Sequence, residues 1–434
     1  MRRFPLLAAL LAAGLAIPPA ALAQQPAAAA AAPAPAPLSA LVDAVAIPYE
    51  TFTLRNGLRV IVHTDRKTPV VAVSVWYGVG SADEPRGKTG FAHLFEHLMF
   101  NGSGGYDGEF FEPLEEVGAT NYNGTTSFDR TNYFQNVPTP ALEMALFLEA
   151  DRMGNLLPAL TQEKLDNQRG VVQNEKRQGD NQPFGLVFYK LASTLFPEGH
   201  PYHHLPIGSM EDLDAATLET ARQWFETHYG PNNAVLVLAG DIDARTARPL
   251  VEKYFGRIPR RPATPNRVTP VPPTPQTRAV MNDAVPNPRL YFAWTAPTLT
   301  DPAFTDLDIA AAVLASGQSS RLYNDLVRER KLAVNVGGGT LEGELAGFAF
   351  LTVDVRPGVD PALVEARVAE LLDQFRREGP TADEVQRVAT RIASNTIRGL
   401  EAVGGFGGKA VALAEGALYA NDPGFYRTQL RRVA

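Results

Sequence analysis

Cysteine is absent from the 434 residues. The chain therefore has no disulfides, no thiolate metal ligands, no cysteine nucleophile and no thiol to carry a lipid. Its fold must rest on core burial alone, for which a composition 45% apolar and 20% charged is adequate. Basic runs are missing too. Lys and Arg number 40 against 47 Asp and Glu, a net charge of −7, and with no Lys/Arg run to build a basic face nucleic acid is not an expected partner. The apolar stretch Leu6–Ile17 falls short of the roughly 20 residues that span a bilayer. It follows Arg2 and Arg3 and is closed by Pro18-Pro19 and Ala21-Leu22-Ala23, the layout of a cleavable export signal. Residues 1–23 are thus expected to be removed, leaving no membrane anchor and a periplasmic or secreted chain.

Residues 24–46 read as an Ala/Pro-rich spacer, with structure beginning near Ile47. Phe52-Thr53-Leu54 and Leu58–Val62 flank Asn56-Gly57, a strong hairpin signal. Val70–Tyr77 and Ala234–Ala239 are β-rich apolar runs that fit strands covered on both faces. Helical patterns run over Gly90–Phe100, Pro140–Asn155, Gln162–Gln178 and Asp212–His228, the last with Asp214 as its N-cap.

Seven prolines between Ile258 and Thr277 can neither pair into a sheet nor continue a helix, so 258–277 is expected to link two domains, 47–257 and 278–434. The second repeats the order of the first in part. Strands are expected at Arg289–Trp294 and Phe348–Val355. Helices are expected at Asp306–Ala315, Ser319–Arg330, Pro361–Arg376 and Thr381–Leu400. Strands and helices without βαβ alternation indicate an α+β fold.

Histidine is scarce, at seven residues, yet two fall four apart in Phe91–Phe100. At about 100° per residue, His93 and His97 share a helix face and Glu96 lies on the same arc. Two imidazoles one turn apart reach one zinc ion, and the adjacent carboxylate can take a proton from water. Such groups among large apolar neighbours are costly unless something binds them. A catalytic zinc takes three protein ligands, and Glu175, on the helical run from Gln162, is the candidate third. Alone it would read as a solvated helix glutamate. His200-Pro201-Tyr202-His203-His204 suits a turn better than a second metal site. Gly404–Ala410 lacks the Ser or Thr and the preceding strand of a phosphate loop, and is expected to be a flexible connection.

His93-Leu94-Phe95-Glu96-His97 followed by Glu175 resembles the inverzincin motif of the pitrilysin/insulinase family, which includes the mitochondrial processing peptidase. Glu84, Phe100-Asn101-Gly102, Asn123–Thr126, Glu149–Met153 and Tyr229–Ala234 are similar to the family's surroundings of that motif. The resemblance implies two related domains, each a mostly antiparallel sheet backed by helices, facing across a chamber. It implies one zinc ion on His93, His97 and Glu175, with Glu96 as base. Peptide substrates would add to a sheet edge at Asn123, Gly124, Thr125 and Thr126, and Arg328 would assist the oxyanion.

Gln168 stands where the family has a supporting Glu, and Val334 where it usually has Tyr. The resemblance also implies a closing helix and strand beyond Ala434, so the second domain is expected to be incomplete. Zinc-dependent endopeptidase or oligopeptidase activity is the expected function. Its rivals are a non-catalytic peptide-binding or assembly subunit and the zinc-bearing half of a heteromer. The resemblance allows a homo- or hetero-dimer with a related subunit.

Overall fold

The computed structural model describes residues 37–262, 271 and 275–434. The expected signal at 1–23, most of the spacer and prolines 265, 270, 272 and 273 lie outside the described residues. Two sheets organise the rest. Strands β1 (Glu50–Thr53), β2 (Arg59–Thr64), β3 (Val70–Tyr77), β4 (Thr120–Thr126), β5 (Thr131–Pro138) and β6 (Ala234–Gly240) form a sheet ordered β1-β2-β6-β3-β5-β4. Only β2 and β6 run parallel. Strands β7 (Arg289–Ala296), β8 (Ala333–Leu341) and β9 (Gly347–Val355) form an antiparallel sheet ordered β7-β9-β8.

The first hairpin turns at Asn56-Gly57, with Gly57 at φ 94° and Thr53 opposite Arg59. A Cβ at Gly57 would also lie 2.8 Å from that of Asn232, so the turn needs glycine twice over. The buried Asn56 amide ties the turn inward by donating to the Phe255 and Ile258 carbonyls at 2.7 and 3.0 Å.

β3 and β6 are central strands with both faces covered, as their largely apolar runs require. Val71, Val73, Val75, Tyr77, Leu236 and Leu238 pack on one face with helices Phe91–Leu98, Leu142–Gly154, Leu218–His228 and Ala244–Phe255. Ala72, Trp76, Val235, Val237 and Ala239 face the other way, against Ala389, Ala393, Leu413, Ala414 and Leu430 from the C-terminal helices. Each such fully buried Val or Leu contributes about 1.5–3 kcal/mol relative to exposure. The chain thus closes its first sheet with its last helices. Tyr202 ties together turns of the two sheets: its hydroxyl donates to Asp129, between β4 and β5, at 2.5 Å and accepts from the Leu345 amide, between β8 and β9, at 3.0 Å.

Three readings of the sequence need correction. Structure begins before Ile47, with helix Leu38–Ala44. Its Leu38 and Val42, one turn apart, are buried beneath the far face of the sheet, so this segment is not spacer. The run from Asp212 is two helices, Met210–Asp214 and Leu218–His228. Thr217, in a capping box with Thr220, caps the second, while the Asp214 carboxylate accepts from Gln173. Strand β8 was missed because Gly337-Gly338-Gly339 argues against a strand. Gly338 is required there, since a Cβ would stand 2.9 Å from that of Ala315 on the helix above.

Candidate metal centre

Helix Phe91–Leu98 starts from Gly90 at φ 88°, with no side-chain cap of its own. The buried Glu84 carboxylate supplies one from outside the helix. It accepts from the Gly90 and Ala92 amides at 3.0 and 2.7 Å and satisfies N–H groups a helix start leaves orphaned. Burial raises the Glu84 carboxyl pKa, and His204, 2.8 Å away, opposes that shift. With Leu94, Phe95 and Leu98 sunk in the core, the helix presents His93, Glu96 and His97 toward helix Gln162–Asp180 and strand β4.

Helix Gln162–Asp180 is mostly polar and buries Leu165 and Val172, and Thr161 caps it through the Lys164 amide. It brings Glu175 to the two histidines. Nε2 of His93 and Nε2 of His97 each lie 3.6 Å from the same Glu175 oxygen, Oε2. That separation is too long for a good hydrogen bond. It is close to the roughly 3.4 Å between two ligands tetrahedrally placed at 2.0–2.1 Å from zinc. The three ligand atoms lie within 4.8 Å of one another, and no other such group occurs among the described residues.

The protonation states suit a metal as well. Burial, then the neighbouring His97, pushes His93 down to about 4, so its ring is neutral at ordinary pH. His97 Nδ1 sits 3.2 Å from the Gln168 side-chain oxygen, a contact in which that nitrogen would donate and leave Nε2 free to ligate. Gln168 is fixed in turn by donating to Asn101 at 3.1 Å. The His93 Nδ1 is buried with no partner among the described residues, and its ring is held edge-on to that of His97 at 4.9 Å. Gln168→Ala should weaken zinc binding about 10–100-fold, as loss of such a supporting partner does, measured by competition with a chelating dye.

Glu96 is 6% exposed. Burial pushes its carboxyl up to about 7, against the Thr126 hydroxyl, which donates to Oε2, and the more distant Arg130. Gly124 is pressed onto the same carboxylate: a Cβ there would lie 3.2 Å from Oε1 and 2.7 Å from the Phe100 ring. So β4, an edge strand of its sheet, runs directly past Glu96. Asn123 accepts from the Gly124 amide, and Thr125 donates to Asn132 at 2.6 Å. Arg130, missed in the sequence, donates to the Thr125 carbonyl at 2.9 Å and stacks over Trp76. No periodicity could have flagged it, because it lies in the turn between β4 and β5.

The contacts of Arg328 are local. It is exposed, bonds Asn324 at 3.2 Å and lies over the Tyr323 ring, both on its own helical segment Tyr323–Glu329. Val334 is 44% exposed at the start of β8. The histidines around Pro201 point three different ways, toward the Tyr202 amide, the Phe196 carbonyl and Glu84, within a turn.

The chain is similar to proteins whose family is known. Residues 59–205, which contain all four residues of the group, match the profile described as insulinase, peptidase family M16. Residues 215–392 match that described as the peptidase M16 inactive domain. The chain is 30% identical to the zinc protease PqqE of Helicobacter pylori over 365 residues, covering 81% of this chain and 80% of that one. Among solved structures, a protease from Helicobacter pylori superposes with a TM-score of 0.78 at 28% identity, covering 88% and 93% of the two chains. The first half of the periplasmic protease PqqL from Escherichia coli shares the fold, with a TM-score of 0.70 at 22% identity over 89% and 86%. A profile spanning the His-Glu-His helix and Glu175, and a zinc protease similar over four-fifths of both chains, identify this chain as a member of the insulinase (M16) family of peptidases.

Proposed function

We propose that this chain is an exported zinc endopeptidase that hydrolyses extended peptides. The observation that carries the reading is the convergence of His93 and His97 Nε2 on one Glu175 oxygen beside a buried Glu96, at an open sheet edge. Bound by His93, His97 and Glu175, zinc supplies Lewis acidity toward a peptide carbonyl and acidifies water. Everything else falls to the protein. The edge of β4 takes the peptide as an added strand through Asn123–Thr126, which reads backbone more than side chains. Thr126 holds Glu96 Oε2, leaving Oε1 to accept the proton of the attacking water and return it to the leaving amine. Gly124, lacking a side chain, lets β4 itself lie close against that oxygen and the Phe100 ring.

The export-signal layout and a periplasmic relative support action outside the cytoplasm. No helix among the described residues is long and apolar enough to cross a membrane.

A quenched fluorescent peptide library tests the reading. Cleavage should vanish on chelation and return with one equivalent of zinc. Persistent cleavage by zinc-free protein would exclude it.

Val334, and an Arg328 engaged on its own helix, favour a second reading. In it the chain is the zinc-bearing half of a heteromer whose partner supplies the oxyanion donor. Zinc-loaded protein that cuts only after a related subunit is added, and co-elutes with it, would select that reading.

A further inference from the structure

The glycine-rich loop Gly404–Gly408 is tightly built. The Lys409 and Ala410 amides donate to the Ala402 and Val403 carbonyls, each at 3.0 Å. The Lys409 ammonium is paired with Asp65 at 2.7 Å, both side chains largely buried. Gly404 is pressed onto the six-stranded sheet, where a Cβ would meet the Asn136 side-chain oxygen at 2.3 Å and the Ala72 Cβ at 2.5 Å. Gly405, at φ 86°, passes over Asn121 of β4. At the crest stands Phe406, 69% exposed, its ring edge-on to Phe134 at 4.9 Å. A braced loop that holds an aromatic ring in solvent forgoes the burial such a ring normally contributes.

The register of the sheet fixes where that ring stands. Phe134 of β5 is opposite Asn123 of β4, and Tyr133 is opposite Gly124. Successive residues point to opposite faces. Tyr133 and Gly124 therefore face the metal helix and Glu96, while Phe134, Asn123 and Phe406 occupy the other face. The irregularity between Thr120 and Asn123, with Asn121 at φ 51°, lies beside the loop at the same edge. A peptide added to β4 would send alternate side chains to the two faces.

We propose that Phe406 is a specificity-determining contact for the substrate. It is an apolar shelf for a bulky side chain on the peptide face away from Glu96. At the rise of a strand, that side chain sits about one or two residues from the bond held at Glu96. The inference rests on the edge-strand reading of β4 given above, and continuity with that edge selects a peptide side chain as the occupant.

The test uses full-length, zinc-loaded protein and two quenched peptides differing only by Phe or Gly at the position mapped by library cleavage. The wild type should prefer the Phe peptide. In Phe406→Ala the ratio of kcat/KM between the peptides should collapse about fivefold to tenfold, carried by KM, the size expected for one lost aromatic contact. Phe406→Leu should restore most of the ratio, with zinc content and melting midpoint as in the wild type. An unchanged ratio in Phe406→Ala, beside an active wild type, overturns the inference and leaves the peptidase reading standing. The same result with dissociation of a dimer in sedimentation also overturns it, and assigns the ring to a second copy of this chain. If the wild type cleaves nothing and Glu96→Gln binds no peptide, both the inference and the reading fall.

Discussion

Glu96→Gln should abolish peptide cleavage while leaving zinc in place. Glutamine keeps the shape of the side chain and can still accept from the Thr126 hydroxyl, so the helix and β4 should stay where they are. His93, His97 and Glu175 are untouched, and metal content measured by mass spectrometry should match that of the wild type. What disappears is the ability to accept a proton, which for a positioned general base is worth about 10²–10⁴ in rate. The loss should appear in kcat, since a peptide strand on the β4 edge needs no charge on residue 96 to bind. Retention of more than about a tenth of the wild-type kcat would assign the proton transfer to another group, because it falls far below that range. The result also separates roles within the cluster: His93→Ala should lose zinc and activity together, Glu96→Gln activity alone.

Much of this site is legible in the sequence, for a local reason. His93, Glu96 and His97 are positioned by helix periodicity, which depends only on spacing along the chain. Glu175 is a different case. Its helix is mostly polar, and nothing local says that it packs against the helix Phe91–Leu98; the family resemblance singles it out. The central strands β3 and β6 are equally plain, because a short, largely apolar β-rich run has few other homes.

What escapes a reading of the sequence depends on distant partners. Leu38–Ala44 adjoins an Ala/Pro tract, and its helix is recognisable only once Leu38 and Val42 are seen beneath the sheet. Three consecutive glycines hide β8, where local propensity yields to the close approach of the Ala315 helix. That the last helices return to cover the far face of the first sheet is not visible either. Ala389, Ala393, Ala414 and Ala417 mark apolar stripes, but a stripe does not name the surface it covers.

The largest stability effect should come from a charge pair far from water. Glu149 and Arg152, one turn apart on helix Leu142–Gly154, are 0% and 1% exposed. The guanidinium grips the carboxylate through Nε at 2.9 Å and Nη2 at 2.5 Å, while Gln135 of β5 donates to the same carboxylate at 2.9 Å. Arg152 lies between the Phe110 and Tyr133 rings, 3.7 and 4.1 Å from their centroids. Tyr133 and the nearby Phe100 pack together, and Phe100 lies against the Gly124 position beside Glu96, so this cluster underlies the site itself. Glu149→Ala removes one charge and strands the other among aromatic rings. Breaking a buried pair in this way costs about 3–5 kcal/mol, because the remaining ion is neither solvated nor neutralised. The expected result is a large fall in the denaturation midpoint, followed by tryptophan fluorescence, with zinc retention falling at lower temperature than in the wild type. Replacing both partners, Glu149→Leu with Arg152→Met, removes the stranded charge and should recover most of the loss. If Glu149→Ala melts with the wild type, the pair is not desolvated in solution. If the double variant is no better than the single one, a stranded charge is not what lowers the stability of Glu149→Ala.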